Sequence, residues 1–106
     1  MISDKLIDAI RTRLVDAFAP ERIILFGSQA RGTADERSDV DILVICPFTG
    51  KRRHLMLEMD RALQGLGLAR DIMILTPEEF ERDRHIPGTI ARPAWREGKV
   101  LYENAR

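Results

Sequence analysis

Two acids one residue apart, Asp39-Val40-Asp41, stand directly before an apolar run, Ile42-Leu43-Val44-Ile45-Cys46. A second apolar run, Ile23-Ile24-Leu25-Phe26, ends in Gly27-Ser28, followed by Gln29-Ala30-Arg31-Gly32 and a polar link that reaches Ser38. Both runs are short, rich in β-branched residues and bounded by polar ones, which is the pattern of strands. Alternation along a strand sends Asp39 and Asp41 to the same side, with Cα atoms roughly 6–7 Å apart. Two carboxylates aimed at one place repel each other unless a cation sits between them. Mg²⁺ suits that place, because it prefers oxygen ligands and is held by one or two carboxylates plus substrate phosphates. Gly27 leaves no side chain to block the backbone, and Ser28 adds a hydroxyl. A helical turn starting at Ser28 would turn its free N–H groups and positive dipole end toward an incoming phosphate. The two halves together suggest metal-assisted chemistry on a nucleoside triphosphate.

The elements that position these residues read in order. Residues 3–18 form an amphipathic helix, with Leu6, Ile10, Leu14 and Phe18 at four-residue spacing, Ile7 and Val15 widening the stripe, Ser3 as N-cap and Pro20 as the stop. Residues 21–26 are a strand with both faces covered, since its apolar residues are continuous. Residues 29–34 have room for about one and a half helical turns. In that arrangement Arg31 lies near the phosphate site; its alternative is a surface helix charge. Arg37, in the polar link of residues 33–38, faces either substrate or solvent. The acid pair then opens the second strand, and Cys46 at its end reads as a buried, inert thiol. Residues 51–66 form a second amphipathic helix with Leu55, Met59, Ala62, Leu63 and Leu66 on one face. Lys51-Arg52-Arg53 at its start is either a solvated cluster or a site for an anion or acidic partner, since the dipole disfavours positive charge there.

A third acid follows. Asp71 opens the apolar strand of residues 70–75, as Asp39 and Asp41 open theirs. Neighbouring strands would let the three carboxylates converge on one end of a sheet; alternatively Asp71 is an edge residue paired with Arg70. Thr76-Pro77-Glu78-Glu79 reads as an N-cap, a proline at the first helical position and acids in the first turn. Residues 88–97 are weakly helical and interrupted by Pro93, and residues 100–102 are a short final strand. Trp95 and Tyr102 are core residues or interface anchors. His54 and His85 have no metal-ligand partner at suitable spacing and read as surface residues.

Composition narrows the class. With 106 residues, the chain has the length of one domain, residues 1–106, able to bury a core. Seventeen Lys and Arg balance seventeen Asp and Glu. Zero net charge argues against a dedicated nucleic-acid binder, whose domain is usually basic, and gives little protection against association. No apolar run approaches the roughly 20 residues that span a bilayer. No leader is visible at the start, and a lone cysteine excludes an internal disulfide, so the cytoplasm is the expected location.

Gly27-Ser28, ten residues, then Asp39-x-Asp41 resembles the signature of the DNA polymerase β-type nucleotidyltransferase superfamily. The small size, the Ala30-Arg31-Gly32 continuation and Ser38 before the first acid are similar to its minimal nucleotidyltransferase (MNT) branch, many of whose members are antitoxins paired with HEPN-domain toxins. The resemblance runs over residues 21–103. It implies an α/β (α+β) fold in which helices pack on a small mixed β-sheet. It implies that Asp39 and Asp41 hold one or two Mg²⁺ ions and that Gly27 and Ser28 cradle the β- and γ-phosphates, with Arg31 beside them. Asp71 then matches the third carboxylate, which helps to hold a metal and takes the proton from an acceptor hydroxyl. ATP as donor is implied in the same way. The implied partner is a HEPN-type toxin in a hetero-oligomer, whose tyrosine receives AMP, as in a type VII-like toxin–antitoxin pair. Two other readings stay open. One is a non-catalytic antitoxin that neutralises its partner by contact; the other is a transferase acting on RNA or a small molecule.

Overall fold

The computed structural model describes residues 2–27 and 39–104. Ser28, Arg31, Arg37, the expected helical turn of residues 29–34 and the polar link to Ser38 lie outside the described residues. Among the described residues there are four helices and four strands: α1 (Asp4–Phe18), β1 (Arg22–Phe26), β2 (Val40–Ile45), α2 (Arg52–Ala62), β3 (Arg70–Leu75), α3 (Pro77–Asp83), α4 (Ala91–Glu97) and β4 (Lys99–Glu103). The strands form one mixed sheet in the order β3-β2-β1-β4. β1 runs antiparallel to both β2 and β4, while β2 and β3 are parallel. The expected α/β architecture of helices on a small mixed sheet is the one observed. No described helix is long and apolar enough to cross a membrane.

The sheet is buried on both faces, which is why its strands read as continuous apolar runs. Ile23, Leu25, Val40, Ile42, Val44, Ile72, Ile74 and Leu101 point to one face, where they pack with Ile7, Ile10 and Leu14 of α1 and Met59 of α2. Ile24, Phe26, Leu43, Ile45 and Leu75 point to the other, under Phe80 of α3 and Ala91 and Ala94 of α4. Cys46 is buried with the first set; its Sγ lies 3.4 Å from the Pro47 carbonyl, and burial pushes the thiol pKa up, as an inert thiol requires.

Local chemistry sets the element ends. Ser3 caps α1 by accepting from the Leu6 N–H, as expected. α2 stops at Ala62 rather than at residue 66. Gly65 and Gly67 both take positive φ beyond it, and the Arg13 guanidinium donates to the otherwise orphaned carbonyls of Ala62 and Gln64. Pro93 does not interrupt its helix. It is the third residue of α4, in the first turn, where its missing N–H would have had no helical partner. β4 extends one residue further at each end than expected, with a bulge between its pairings to Ile23 and Ile24.

The basic run at the start of α2 has an internal partner. Arg52 donates through Nη1 and Nη2 to the two carboxylate oxygens of Glu79, at 3.0 and 2.7 Å, and through Nη1 to the Ile74 carbonyl. Glu79 is at the same time the acid of a capping box with Thr76 at the start of α3. The Arg52 guanidinium, followed by the Thr76 N–H, lowers the Glu79 pKa to about 2. A carboxylate with a depressed folded pKa stabilises the fold fully above its unfolded pKa, and the effect is lost as pH falls through the folded value. Glu79→Gln is therefore expected to cost about 1 kcal/mol at pH 7. In denaturant unfolding at a series of pH values, that difference should persist down to about pH 4.5 and shrink toward pH 2. A difference independent of pH would contradict the assignment.

Candidate active site

The acids lie where three strand ends meet. In the antiparallel pair β1–β2, Phe26 is opposite Asp41; in the parallel pair β2–β3, Asp41 is opposite Asp71. Side chains directly opposite each other in a sheet share a face. Asp41 and Asp71 thus share the face of Leu43, Ile45 and Leu75, at the opposite end of the strands from those residues. Asp41 is half-buried there and Asp71 is exposed. Asp39 stands one residue before β2, exposed, two residues from Asp41 and so at the same mouth.

Of the expected site residues, the fold therefore brings Gly27, Asp39, Asp41 and Asp71 to one end of the sheet. Ser28 and Arg31 are outside the described residues. Arg70 does not pair with Asp71: its Nε donates to Asp60 Oδ1 at 3.0 Å and its terminal nitrogens go to the carbonyls of Leu68 and Asp60. Asp71 does sit on an edge strand, since β3 is the last in the sheet, but the paired-edge alternative loses its partner.

Gly27 explains itself by geometry. Its φ of +79° is a conformation that side chains rarely adopt. A Cβ placed there would also run into Oδ2 of Asp41. The turn after β1 thus passes directly over the Asp41 carboxylate, with only backbone between them.

The carboxylates of Asp39, Asp41 and Asp71 are groups that could contribute to holding a Mg²⁺ ion. They are hard oxygen donors, and the side-chain space at residue 27 is filled by a carboxylate oxygen. Among the described residues no three or more His, Cys, Asp or Glu side chains form a group that could hold a metal by themselves. Mg²⁺ does not need such a cage, because it is characteristically bound by one or two carboxylates together with substrate phosphates and water.

The cradle is testable by itself. Gly27→Ala introduces strain at positive φ and displaces the Asp41 carboxylate, for a cost of about 1–3 kcal/mol. Denaturant unfolding should show that loss, and titration with Mg²⁺ and ATP should show weakened binding. A variant with wild-type stability and affinity would contradict the close approach.

Residues 5–96 match the family described as Nucleotidyltransferase domain. Over 31 residues the chain is 71% identical to "Putative protein adenylyltransferase MJ1305" of Methanocaldococcus jannaschii, a stretch that covers 29% of this chain and 21% of that protein. The chain thus matches about a fifth of the length of that relative. Among solved structures, it is similar to a toxin–antitoxin crystallised with AMP-PNP, with a TM-score of 0.64 and 25% identity over 92% of this chain and 73% of the other. It shares its fold with a mutant form of the toxin–antitoxin MntA-HpeT, with a TM-score of 0.61 and 22% identity over 92% of this chain and 73% of the other. A family match spanning residues 5–96, together with a sheet that brings Asp41 and Asp71 into register beneath Gly27, makes this chain a member of the nucleotidyltransferase domain family.

Proposed function

We propose that this chain is a Mg²⁺-dependent adenylyltransferase that moves AMP from ATP to a hydroxyl of a partner protein. The acceptor in this reading is a tyrosine of a HEPN-type toxin, held in a hetero-oligomer, and the transfer makes this chain the antitoxin. The observation that carries the reading is the pairing of Asp41 with Asp71 at the mouth of the sheet, with the Gly27 turn pressed over Asp41. The comparisons support it: one similar structure is a toxin–antitoxin with AMP-PNP, an ATP analogue, and one relative bears the name of a protein adenylyltransferase. The whole chain, residues 1–106, acts as one domain in this reading, in the cytoplasm.

Each residue has a separate task. Asp39 and Asp41 present the anionic oxygens that receive the metal-bound triphosphate. Gly27 and Ser28 offer the β- and γ-phosphates backbone N–H groups and a hydroxyl, and Arg31 adds positive charge beside them. When bound, Mg²⁺ neutralises the phosphates and stabilises charge on both the attacking and the leaving oxygens. Asp71 faces the acceptor side, helps to hold a metal and takes the proton of the tyrosine hydroxyl. The freed oxygen attacks the α-phosphorus in line as the bond to pyrophosphate breaks, forming a tyrosine–AMP ester.

The test mixes this chain with the toxin, ATP and Mg²⁺. The toxin should gain the mass of one or more AMP units, and neither Asp39→Asn nor Asp41→Asn should produce the gain. Neutralisation of the toxin by Asp41→Asn without any mass change would replace this reading with neutralisation by contact. Label appearing on RNA or a small molecule, and never on the toxin, would replace it with a different transferase.

The role given to Asp71 makes a further forecast. Removing a general base typically costs about 10²–10⁴-fold in rate. Asp71→Asn should therefore lose turnover on that scale with far less loss of ATP affinity than Asp41→Asn. Equal losses of affinity in the two variants would make Asp71 chiefly a metal ligand.

A further inference from the structure

We propose that Arg70 is a positioning residue for Asp71: its guanidinium, hooked onto the last turn of α2, fixes the start of the edge strand and so holds Asp71 in register with Asp41. The proposal rests on the reading of Asp71 given above.

β3 is zipped to β2 along one side only, in six pairs from Val40↔Arg70 to Ile45↔Leu75. Arg70 and Asp71 are the first two residues of this edge strand. Strand ends are where pairing frays, with opening free energies near zero unless something else ties them down. The segment leading into β3 turns through Gly65 and Gly67, at φ of 88° and 68°, and rests Leu66 and Leu68 against the core, on the same side as Arg70. One backbone bond, from the Val40 N–H to the Ala69 carbonyl at 2.9 Å, secures the entry from the β2 side.

Arg70 secures it from the other face. Successive strand residues point to opposite sides, so Arg70 turns toward α2 while Asp71 turns toward the site. The Arg70 side chain is only 12% exposed, against 48% for its partner Asp60. Nε donates to Asp60 Oδ1 at 3.0 Å, Nη2 to the Asp60 carbonyl at 2.8 Å and Nη1 to the Leu68 carbonyl at 3.1 Å. Three bonds from a planar fork fix orientation as well as distance, which an ammonium on a flexible stem cannot do. The opposite end of β3 is tied to the same helix, because Arg52 in the first turn of α2 donates to the Ile74 carbonyl at 2.8 Å. α2 thus clamps the edge strand at both ends, with one clamp a single residue from Asp71. A proton acceptor must be held to a fraction of an ångström, and a 1 Å misplacement can cost about 10²-fold in rate.

The experiment uses the full chain with the toxin as acceptor, measuring AMP transfer per folded molecule well below the melting temperature. Arg70→Met keeps the stem and removes the donors. It should lower kcat by about 10- to 100-fold while leaving the KM for ATP within about twofold, because the donor is held by β2 and the Gly27 turn. Arg70→Lys should fall between, since it restores charge without the fork. Arg13→Met is the control: it removes bonds to Ala62 and Gln64 at the same end of α2, with no link to β3. It should lower stability and leave kcat unchanged. Should Arg70→Met not fold, Asp60→Ala takes its place, because it removes one acceptor from a half-exposed site and leaves the Arg70 bonds to the carbonyls. It should still lower kcat at constant KM.

A wild-type kcat in Arg70→Met, or in Asp60→Ala where Arg70→Met does not fold, while Asp71→Asn abolishes transfer, overturns the positioning role. So does a loss in Arg70→Met that appears in the KM for ATP instead of kcat. Wild-type transfer by Asp71→Asn would instead sink the reading of the site itself, whatever Arg70 does.

Discussion

Parallel strands β2 and β3 pair residue for residue, and that register sets Asp41 next to Asp71 with backbones about 4.8 Å apart. A slip of one residue would turn Asp71 to the other face, among the buried residues beneath α1 and α2. The apolar pattern forbids the slip. Ile72 and Ile74 belong to the core under α1 and α2, and Leu75 to the core under α3 and α4. Two acids are therefore held together by hydrophobic burial farther along the same strands. Burial along the strands thus fixes the positions of both carboxylates. The antiparallel pairing of β1 with β2 adds the third constraint. It places Phe26 opposite Asp41, so the next residue must pass over the carboxylate, and only a glycine has the space and the φ to do so.

Several arginines are tied to the chain's own backbone. Arg11 donates to the Leu101 carbonyl of β4, at 2.6 Å, and Arg52 to the Ile74 carbonyl of β3. These are the two edge strands, whose open carbonyls would otherwise invite pairing with another chain. Arg13 closes the end of α2, and Arg70 the entry to β3. Four of the basic side chains thus serve the backbone. Arg84 stacks over Trp95, 4.4 Å from the ring centroid, while Trp95 meets Phe80 edge-on and remains 43% exposed. Trp95 is thus a half-covered bridge between α3 and α4.

Much of this was legible in the sequence because the chemistry is local. The β-branched runs identified β1, β2 and β3. The Thr76-Pro77-Glu78-Glu79 string marked the N-cap and first turn of α3, and the Gly27 turn and the Asp-x-Asp pair stood out because acids at the mouth of an apolar strand are hard to explain otherwise. What escaped depends on distant partners. Arg52 read as part of a charge cluster because Glu79 lies 27 residues away. Arg70 reads as a possible partner of Asp71 because the two are adjacent, whereas its real partner, Asp60, lies ten residues back on α2. The signal for the end of α2 at Ala62 was partly present in Gly65 and Gly67, but Arg13, which closes the helix, comes from α1. Pro93 read as a break because the start of α4 has no capping side chain to mark it.

In the proposed reaction Asp41 and Asp71 face one metal-bound triphosphate beneath the Gly27 turn. A crystal structure of this chain with Mg²⁺ and a non-hydrolysable ATP analogue measures that directly. The account predicts a Mg²⁺ ion about 2.1 Å from an Asp41 oxygen, the β- and γ-phosphates against the backbone at Gly27, and the Asp71 carboxylate turned toward the α-phosphate. A triphosphate bound away from this end of the sheet, or a metal that Asp41 does not touch, would contradict it.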